Sequence, residues 1–190
     1  MDTVNLPGEA CNLFSAVGKQ WLALVDRFSG YAWTTELRRL DTKAVILHLE
    51  NWFNDFGWPT HIRTDGGPQF RSEFKEFCAA HGIQHELSSP YNPESNGLAE
   101  AAVKNLKSIV LRCTEMGENI QHAIAAWRNT SRQDGSSPAQ LFFGRQQRLG
   151  LPLLQHHLEE NHLQNTDAKN KEVTRLHNKA DASATELNDL

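Results

Sequence analysis

The chain has 190 residues, 39% of them hydrophobic, which suffices for a domain with its own core. Its net charge of −4 excludes proteins that bind nucleic acid through a strongly basic overall field, so such binding would need local basic patches. Three widely spaced cysteines argue against a disulfide framework or a zinc site, and they suit a reducing compartment. No apolar run reaches transmembrane length and no signal-peptide pattern is present, so we expect an intracellular protein without membrane contact.

Three β-rich runs open the predicted fold, after an N-terminal tail over residues 1–8. They cover residues 9–15, 20–26 and 31–37, and short glycine-containing turns join them. Runs of this kind predict an antiparallel meander.

A helix follows the meander. Asp41 and Thr42 are suitable caps for its start, and Gly57-Trp58-Pro59 ends it. Its apolar residues recur at helical spacing and predict one face: Val45, Leu47, Leu49, Trp52, Phe53 and Phe56.

The central stretch begins with a short strand over residues 61–64 and an acid, Asp65. Gly66-Gly67-Pro68 then breaks the chain, and a helix follows with Phe70, Phe74, Phe77 and Cys78 on one face. His81-Gly82 stops this helix, and a second short strand over residues 83–87 leads into a polar loop over residues 88–97.

A long helix starts near Leu98, with Glu100 in its first turn and Lys104 and Lys107 on the same face. A strand-end acid, a helix-borne acid and two lysines together suit a divalent metal beside a phosphate backbone. A further helix spans residues 120–130. The order of elements predicts an α/β fold in which helices flank a sheet of mixed direction.

Two blocks around these acids resemble the catalytic core of retroviral and gypsy-type LTR-retrotransposon integrases. The first is TDGGPQF, from Thr64 to Phe70, and the second is PYNPESNGLAE, from Pro90 to Glu100. The two acids are separated by 34 residues, one fewer than is usual in the family. A third segment, ending in Phe143-Gly144-Arg145, narrows the resemblance toward gypsy-type elements.

The resemblance implies an RNase H-like fold with a mixed five-stranded sheet flanked by helices, and a catalytic core over residues 9–150. It also implies catalytic and metal-ligating roles for Asp65 and Glu100, with Mg²⁺ or Mn²⁺ as cofactor. Residues 151–190 carry seven acids and four bases and form a polar tail, which we expect to be partly helical or disordered.

The first catalytic aspartate of the family has no counterpart here, because Asn12 stands at its position in the first strand. In the family that aspartate bridges two metal ions, and an asparagine offers only one neutral carbonyl oxygen to them. We therefore expect impaired or absent catalysis with weakened metal binding. Asp26 is a candidate replacement, but it lies at the far end of the second strand, in a segment that is structural in the family.

The resemblance also implies DNA contacts. Lys104 and Lys107 would meet phosphates, and Asn96 and Tyr91 would lie in a loop that touches the DNA end. Each residue has a plainer interpretation: Asp65 as a helix cap, Glu100 as a first-turn acid, the lysines as a solvated face and the loop as an ordinary turn.

Two functional classes stay open from the sequence. One is a DNA strand transferase for DNA integration. The other is a non-catalytic nucleic-acid-binding or scaffold protein derived from a retrotransposon integrase, which Asn12 favours. In either class the resemblance implies DNA as partner, a homodimer or higher multimer with helical faces near Trp127 in contact, and a nuclear location. In the family, isolated cores perform disintegration, the reversal of strand transfer.

Overall fold

The computed structural model describes residues 8–88, 97–132 and 135–149. Two compact units divide between Arg128 and Asn129. Among the described residues, no helix is both long and apolar enough to span a bilayer.

The first unit is built on a five-stranded sheet. Its strands, in chain order, are β1 Glu9–Ala16, β2 Lys19–Asp26, β3 Ala32–Leu37, β4 His61–Thr64 and β5 Gln84–Leu87. In space they are ordered β3-β2-β1-β4-β5. The first three pair antiparallel, whereas β4 is parallel to β1 and β5 is parallel to β4. The predicted meander and the mixed five-stranded sheet are therefore confirmed, with β1 at the centre.

The turn between β1 and β2 has two residues. Val17 and Gly18 have φ of 53° and 68°, as a type I′ hairpin turn requires. This turn sets the antiparallel register that pairs Asn12 with Ala23 and Glu9 with Asp26.

Helix α1, Thr42–Phe56, begins as expected, with the Asp41 carboxylate accepting the Ala44 N–H at 2.8 Å. Its predicted apolar face is partly wrong. Val45, Leu49 and Phe53 are buried, but Leu47 is 57% exposed and Phe56 41% exposed. The reason is geometric, because residues spaced by four form the buried stripe and Leu47 lies on the side of the helix away from it.

A 3₁₀ turn, Pro68–Phe70, precedes α2, Ser72–Ala80, so the predicted single helix is split in two. Helix α3 spans Gly97–Met116 and α4 spans Ile120–Arg128. Gly82 and Gly117, with φ near 66°, follow α2 and α3 as helix stops.

The two faces of the sheet carry different helices. Ala10 and Phe14 of β1 pack with buried residues of α3 and α4, including Leu106 and Ile124. Side chains alternate along a strand, so Cys11 faces the other side. On that side Phe56 of α1 lies against Trp33, and Phe74 of α2 lies against His85.

Trp127 of α4 is partly buried against the same cluster as α3. The neighbouring Arg128 donates from Nε to the Ala32 carbonyl at 2.8 Å, and its guanidinium lies 4.6 Å from the centre of the Tyr31 ring. These contacts tie α4 to the start of β3.

The second unit contains α5, Pro138–Phe143. The Ser137 side chain caps its N-terminus and Gln140 completes a capping box, while Gly144 ends it in the left-handed region. The polar tail over residues 151–190 and the N-terminal residues 1–7 lie outside the described residues.

Candidate active site at the ends of β1 and β4

Asn12 lies in β1, and Asp65 directly follows the neighbouring strand β4. The parallel ladder of β1 and β4 ends with Cys11 opposite Thr64, so Asn12 and Asp65 are the next residues of the two chains. Neighbouring strands lie about 4.8 Å apart, and we therefore expect the two residues to be close in space. Asn12 is half-buried and, two residues after Ala10, faces the same side of the sheet, the side covered by α3.

The environment of Cys11 agrees with this placement. Burial and then the nearby charge of Asp65 raise the pKa of the Cys11 thiol well above its ordinary value. Asp65 therefore lies close to β1 at this level. A buried thiol that keeps its proton is a packing group rather than a nucleophile.

Asp65 organises the turn that leaves β4. Its Oδ1 accepts the Gly67 N–H at 2.8 Å, an Asx turn immediately before the 3₁₀ turn. Asp65 is not a helix cap, because Gly67 and Arg71 hold the N-cap positions of the 3₁₀ turn and of α2, without side-chain cap hydrogen bonds. The contact within the turn uses one of the two carboxylate oxygens, so it is compatible with a ligand role.

Glu100 lies in the first turn of α3, the helix that covers the Asn12 face of the sheet. Ala99 and Ala102 bury the sheet-facing side of this turn, and Glu100 is exposed beside them. The structure thus carries Asn12 within β1, Asp65 directly after β4, and Glu100 on the helix that packs over the Asn12 face.

Lys104 and Lys107 are exposed on α3, four and seven residues after Glu100. At 100° per residue the three side chains fall within about 60° of one another around the helix. We call Glu100, Lys104 and Lys107 the α3 stripe. Asn96 and Tyr91, the two loop residues predicted to contact DNA, lie outside the described residues.

Asp26, the candidate substitute acid, has a structural role in the turn after β2. Its Oδ2 accepts hydrogen bonds from the backbone N–H and the hydroxyl of Ser29. It pairs with Glu9, three residues along the ladder from Asn12 and on the opposite face of the sheet. Asp26 is therefore not placed to replace the missing carboxylate.

Sequence reasoning missed the contacts that β5 makes with the Asp65 turn. His85 Nε2 lies 2.8 Å from the Thr64 hydroxyl oxygen, and both the N–H and the hydroxyl of Ser88 bond to the Thr64 carbonyl. The only sign of these contacts in the sequence was the polar His85 inside a short predicted strand. Its partner, Thr64, could be identified only from the pairing of β5 with β4.

The residues present suit one hard divalent cation better than two. Within the described parts of the chain, no three His, Cys, Asp or Glu side chains cluster closely enough to form a metal site by themselves. Mg²⁺ commonly takes one or two carboxylates and completes its shell with water and substrate phosphate. Asp65 and Glu100 carry carboxylates of that type, whereas Asn12 could offer only a neutral oxygen.

Gly67→Ala is expected to disturb this site without unfolding the domain. A Cβ at residue 67 would lie 2.8 Å from Asp65 Oδ1 and 2.8 Å from Gln69 Oε1. Both atoms end flexible side chains, so the clash is relieved by rotating the Asp65 carboxylate away. We expect affinity for Mn²⁺ to fall by roughly 10-fold, the order of loss seen when groups that orient metal ligands are removed. Isothermal titration with Mn²⁺, together with a thermal melt, measures both effects.

Gly66→Ala is the matched control. A Cβ at residue 66 meets nothing within 4 Å, and neither glycine has a positive φ. This variant should bind Mn²⁺ like the unaltered protein. Equal affinities for the two alanine variants would show that the Asp65 orientation does not depend on the space at residue 67.

The fold defined by this sheet order and these flanking helices is RNase H-like. The crystal structure of the catalytic core domain of BIV integrase matches with a TM-score of 0.64 at 18% identity, over 74% of this chain and 95% of that one. The structure of a simian T-cell lymphotropic virus intasome, in complex with a regulatory subunit of PP2A, matches with a TM-score of 0.60 at 24% identity. That match covers 81% of this chain and 60% of the intasome chain.

Sequence comparison gives the family. Residues 2–93 match the family described as the integrase core domain. An uncharacterised protein of Caenorhabditis elegans is 36% identical over 140 residues, which are 70% of this chain and 11% of that protein. Gag-Pro-Pol polyproteins of several retroviruses are also similar. The chain belongs to the catalytic core family of retroviral and LTR-retrotransposon integrases, and it spans about a tenth or less of the length of these first relatives.

Proposed function

We propose that this chain is an integrase core that binds DNA and whose metal-dependent strand transfer is impaired at residue 12. The observation that carries the proposal is the placement of Asn12. It stands opposite Asp65, beneath α3, where a third carboxylate would complete the acidic set with Glu100. The same position holds an amide, so the site has the architecture of a strand transferase and lacks one anionic ligand.

The chemistry of the reaction explains why one ligand matters. A pair of divalent ions bound at such a site activates the attacking oxygen and stabilises the leaving oxygen of a phosphodiester. Asp65 and Glu100 would provide the anionic oxygens for such ions, and the Gly67 N–H holds the Asp65 carboxylate in one orientation. Asn12 supplies no negative charge to neutralise a second cation. We expect the missing negative charge to slow the chemical step, in which charge develops on the phosphate, and to leave DNA binding unchanged.

The α3 stripe supports the DNA-binding part of the proposal. Its two lysines are exposed, follow Glu100 on one side of the helix, and can reach phosphates beside the acids. A net charge of −4 makes such a local patch necessary, because the protein as a whole does not attract a polyanion.

Replacing both Lys104 and Lys107 by alanine should weaken binding of branched DNA and flatten its salt dependence. Each lost phosphate contact is expected to reduce the slope of log K against log salt by about 1. Fluorescence anisotropy with labelled DNA between about 50 and 200 mM salt covers the range in which such contacts change affinity strongly. Both lysines are exposed, so the fold should persist.

The double variant Lys43→Ala with Lys75→Ala is the control for that experiment. It removes the same charge from exposed positions on α1 and α2, which cover the opposite face of the sheet. A DNA affinity that falls equally in both double variants would mean that the α3 stripe is not a specific contact surface.

A second function, a non-catalytic DNA-binding scaffold, is favoured by the amide at residue 12. The two functions share DNA binding and differ in one outcome, the response of catalysis to Asn12→Asp. A disintegration assay with Mg²⁺ or Mn²⁺ separates them. A silenced enzyme gains activity from that single change, whereas a protein whose site has decayed elsewhere does not.

The proposal also includes assembly and location. One structural relative is part of an intasome, so we propose that the chain acts as a dimer or larger multimer in the nucleus. Sedimentation at micromolar concentration and imaging of the tagged chain test these two points.

A further inference from the structure

We propose that His85 and Thr64 form a relay that positions Asp65 from the opposite face of the sheet. His85 holds the Thr64 hydroxyl, and that hydroxyl holds the backbone carbonyl of Asp65. Both are positioning residues and not ligands. The inference rests on the proposed function for the role of Asp65, and it adds the device that orients it.

The side chains of Thr64 and His85 lie on the face of the sheet that is covered by α1 and α2. Thr64 is 1% exposed, and its partner in the ladder with β1 is Cys11, on the face covered by α1 and α2. His85 pairs with Ile62, so it faces the same side. Its ring packs edge-on against Phe74, with 5.1 Å between ring centres. Neither side chain can therefore contact DNA or metal on the α3 face.

The Thr64 hydroxyl takes part in two hydrogen bonds, one with the Asp65 carbonyl and one with the His85 ring. The Thr64 hydroxyl donates to the Asp65 carbonyl at 3.0 Å, and the same oxygen lies 2.8 Å from His85 Nε2. A threonine hydroxyl has one proton. Because that proton is used on Asp65, the His85 ring must be the donor, from an Nε2–H. Burial, and then Lys75, lower the pKa of His85, so the neutral ring with its hydrogen on Nε2 is the expected form at pH 7.

These hydrogen bonds restrict the backbone at Asp65. The carbonyl of Thr64 accepts the Ser88 N–H at 2.8 Å and the Ser88 hydroxyl at 3.1 Å. The next carbonyl, of Asp65, is held by the Thr64 hydroxyl. Two successive carbonyls are thus held, one by Ser88 directly after β5 and one by the Thr64 hydroxyl that contacts His85, which fixes the direction in which the Asp65 side chain leaves the chain. The Gly67 N–H then selects its rotamer.

The relay predicts a spectroscopic signature in the unaltered protein. Long-range ¹⁵N–¹H NMR of the His85 ring should show hydrogen on Nε2 and not on Nδ1. The opposite tautomer would make Nε2 an acceptor, remove the Thr64 proton from the Asp65 carbonyl, and overturn the inference without any substitution.

Two pairs of variants separate the relay from simple packing. Thr64→Val keeps the shape and removes the hydroxyl, whereas Thr64→Ser keeps the hydroxyl. His85→Leu removes the donor, whereas His85→Gln retains an N–H₂ group of similar reach. In the absence of metal, the ¹³C shift of the Asp65 carbonyl should move toward the unbonded value in the valine and leucine variants. It should stay close to its original value in the serine and glutamine variants, and in His122→Leu, a change at an exposed position on α4.

Titration with Mn²⁺ adds the functional readout. The valine and leucine variants should bind Mn²⁺ roughly 10-fold more weakly, and the serine and glutamine variants within about twofold of the unaltered protein. Unchanged Mn²⁺ affinity and an unchanged Asp65 carbonyl shift in folded His85→Leu would overturn the relay.

The Mn²⁺ titration and the carbonyl shift together distinguish a failure of the relay from a failure of the proposed metal site. If Asp65→Asn leaves Mn²⁺ binding unaltered, the proposed metal site fails, while the carbonyl shifts still decide the relay. If Asp65→Asn abolishes binding and His85→Leu changes neither the carbonyl shift nor the affinity, the metal site stands and the relay fails.

Discussion

Asn12→Asp is expected to raise Mg²⁺- or Mn²⁺-dependent disintegration activity by at least roughly 10²–10³-fold over the unaltered protein. This is the usual cost of losing one stabilising group from a preorganised site. The register of β1 with β4 ends at Cys11 and Thr64, so residue 12 and Asp65 follow directly on adjacent chains, and we expect the new carboxylate to need little backbone movement. Gel-based assay of a branched DNA substrate measures the gain.

The same substitution should change stability in a metal-dependent way. Without metal, a carboxylate at residue 12 faces Asp65 at close range, and two like charges destabilise the fold. With Mn²⁺ at about 100 times its dissociation constant, binding to the folded state returns about 2.7 kcal/mol. We therefore expect Asn12→Asp to melt lower than the unaltered protein in EDTA and to gain more from Mn²⁺.

Two controls belong with this prediction. Asn51→Asp makes the same chemical change at an exposed position on α1 and should alter neither activity nor the response to Mn²⁺. Adding Asp65→Asn to Asn12→Asp should remove the gained activity. If Asn12→Asp is folded, binds Mn²⁺ and DNA, and remains inert, the silenced-enzyme proposal is wrong and the scaffold function gains support.

Glu9→Gln is expected to make the domain more stable at alkaline pH. Burial, and then the charge of Asp26, raise the pKa of Glu9 from 4.5 to about 8. Its Oε2 is buried and has no hydrogen-bond partner among the described residues. The folded state therefore keeps a proton that the unfolded chain has already released, and the free energy of unfolding falls as pH rises from about 4.5 to 8.

The size of the effect follows from proton linkage. Each pH unit in that window costs about 1.4 kcal/mol, which sums to roughly 3–5 kcal/mol by pH 9. Glutamine is uncharged at every pH, so Glu9→Gln should match the unaltered protein near pH 4.5 and exceed it by that amount at pH 9. Urea unfolding at several pH values measures the difference, in which the contributions of other titrating groups cancel.

Glu76→Gln, at an exposed position on α2, is the control for this pH series and should leave the slope unchanged. A slope that is the same in Glu9→Gln and in the unaltered protein would mean that Glu9 is ionised in the folded state. Asp26 is a poorer choice for substitution, because its carboxylate also holds the turn through Ser29.

Local signals in the sequence predicted most of the elements correctly. The meander, the Asp41 cap and the stop at Gly82 depend on residues close together in the chain. Where the prediction of α1 was wrong, at Leu47 and Phe56, the fault was in deciding which apolar residues face the sheet. That choice depends on what packs against the helix, which no local pattern contains.

The sequence by itself determined the two acids, the amide at residue 12 and the family, because chemistry and motif spacing are properties of the chain alone. Only the tertiary structure decided that Asn12 and Asp65 are neighbours, that Asp26 faces away, and that His85 supports the turn at Asp65. The physical reason is strand pairing. β1 and β4 are separated by 44 residues, from Ala16 to His61, and their register is set by how the two faces of the sheet are buried.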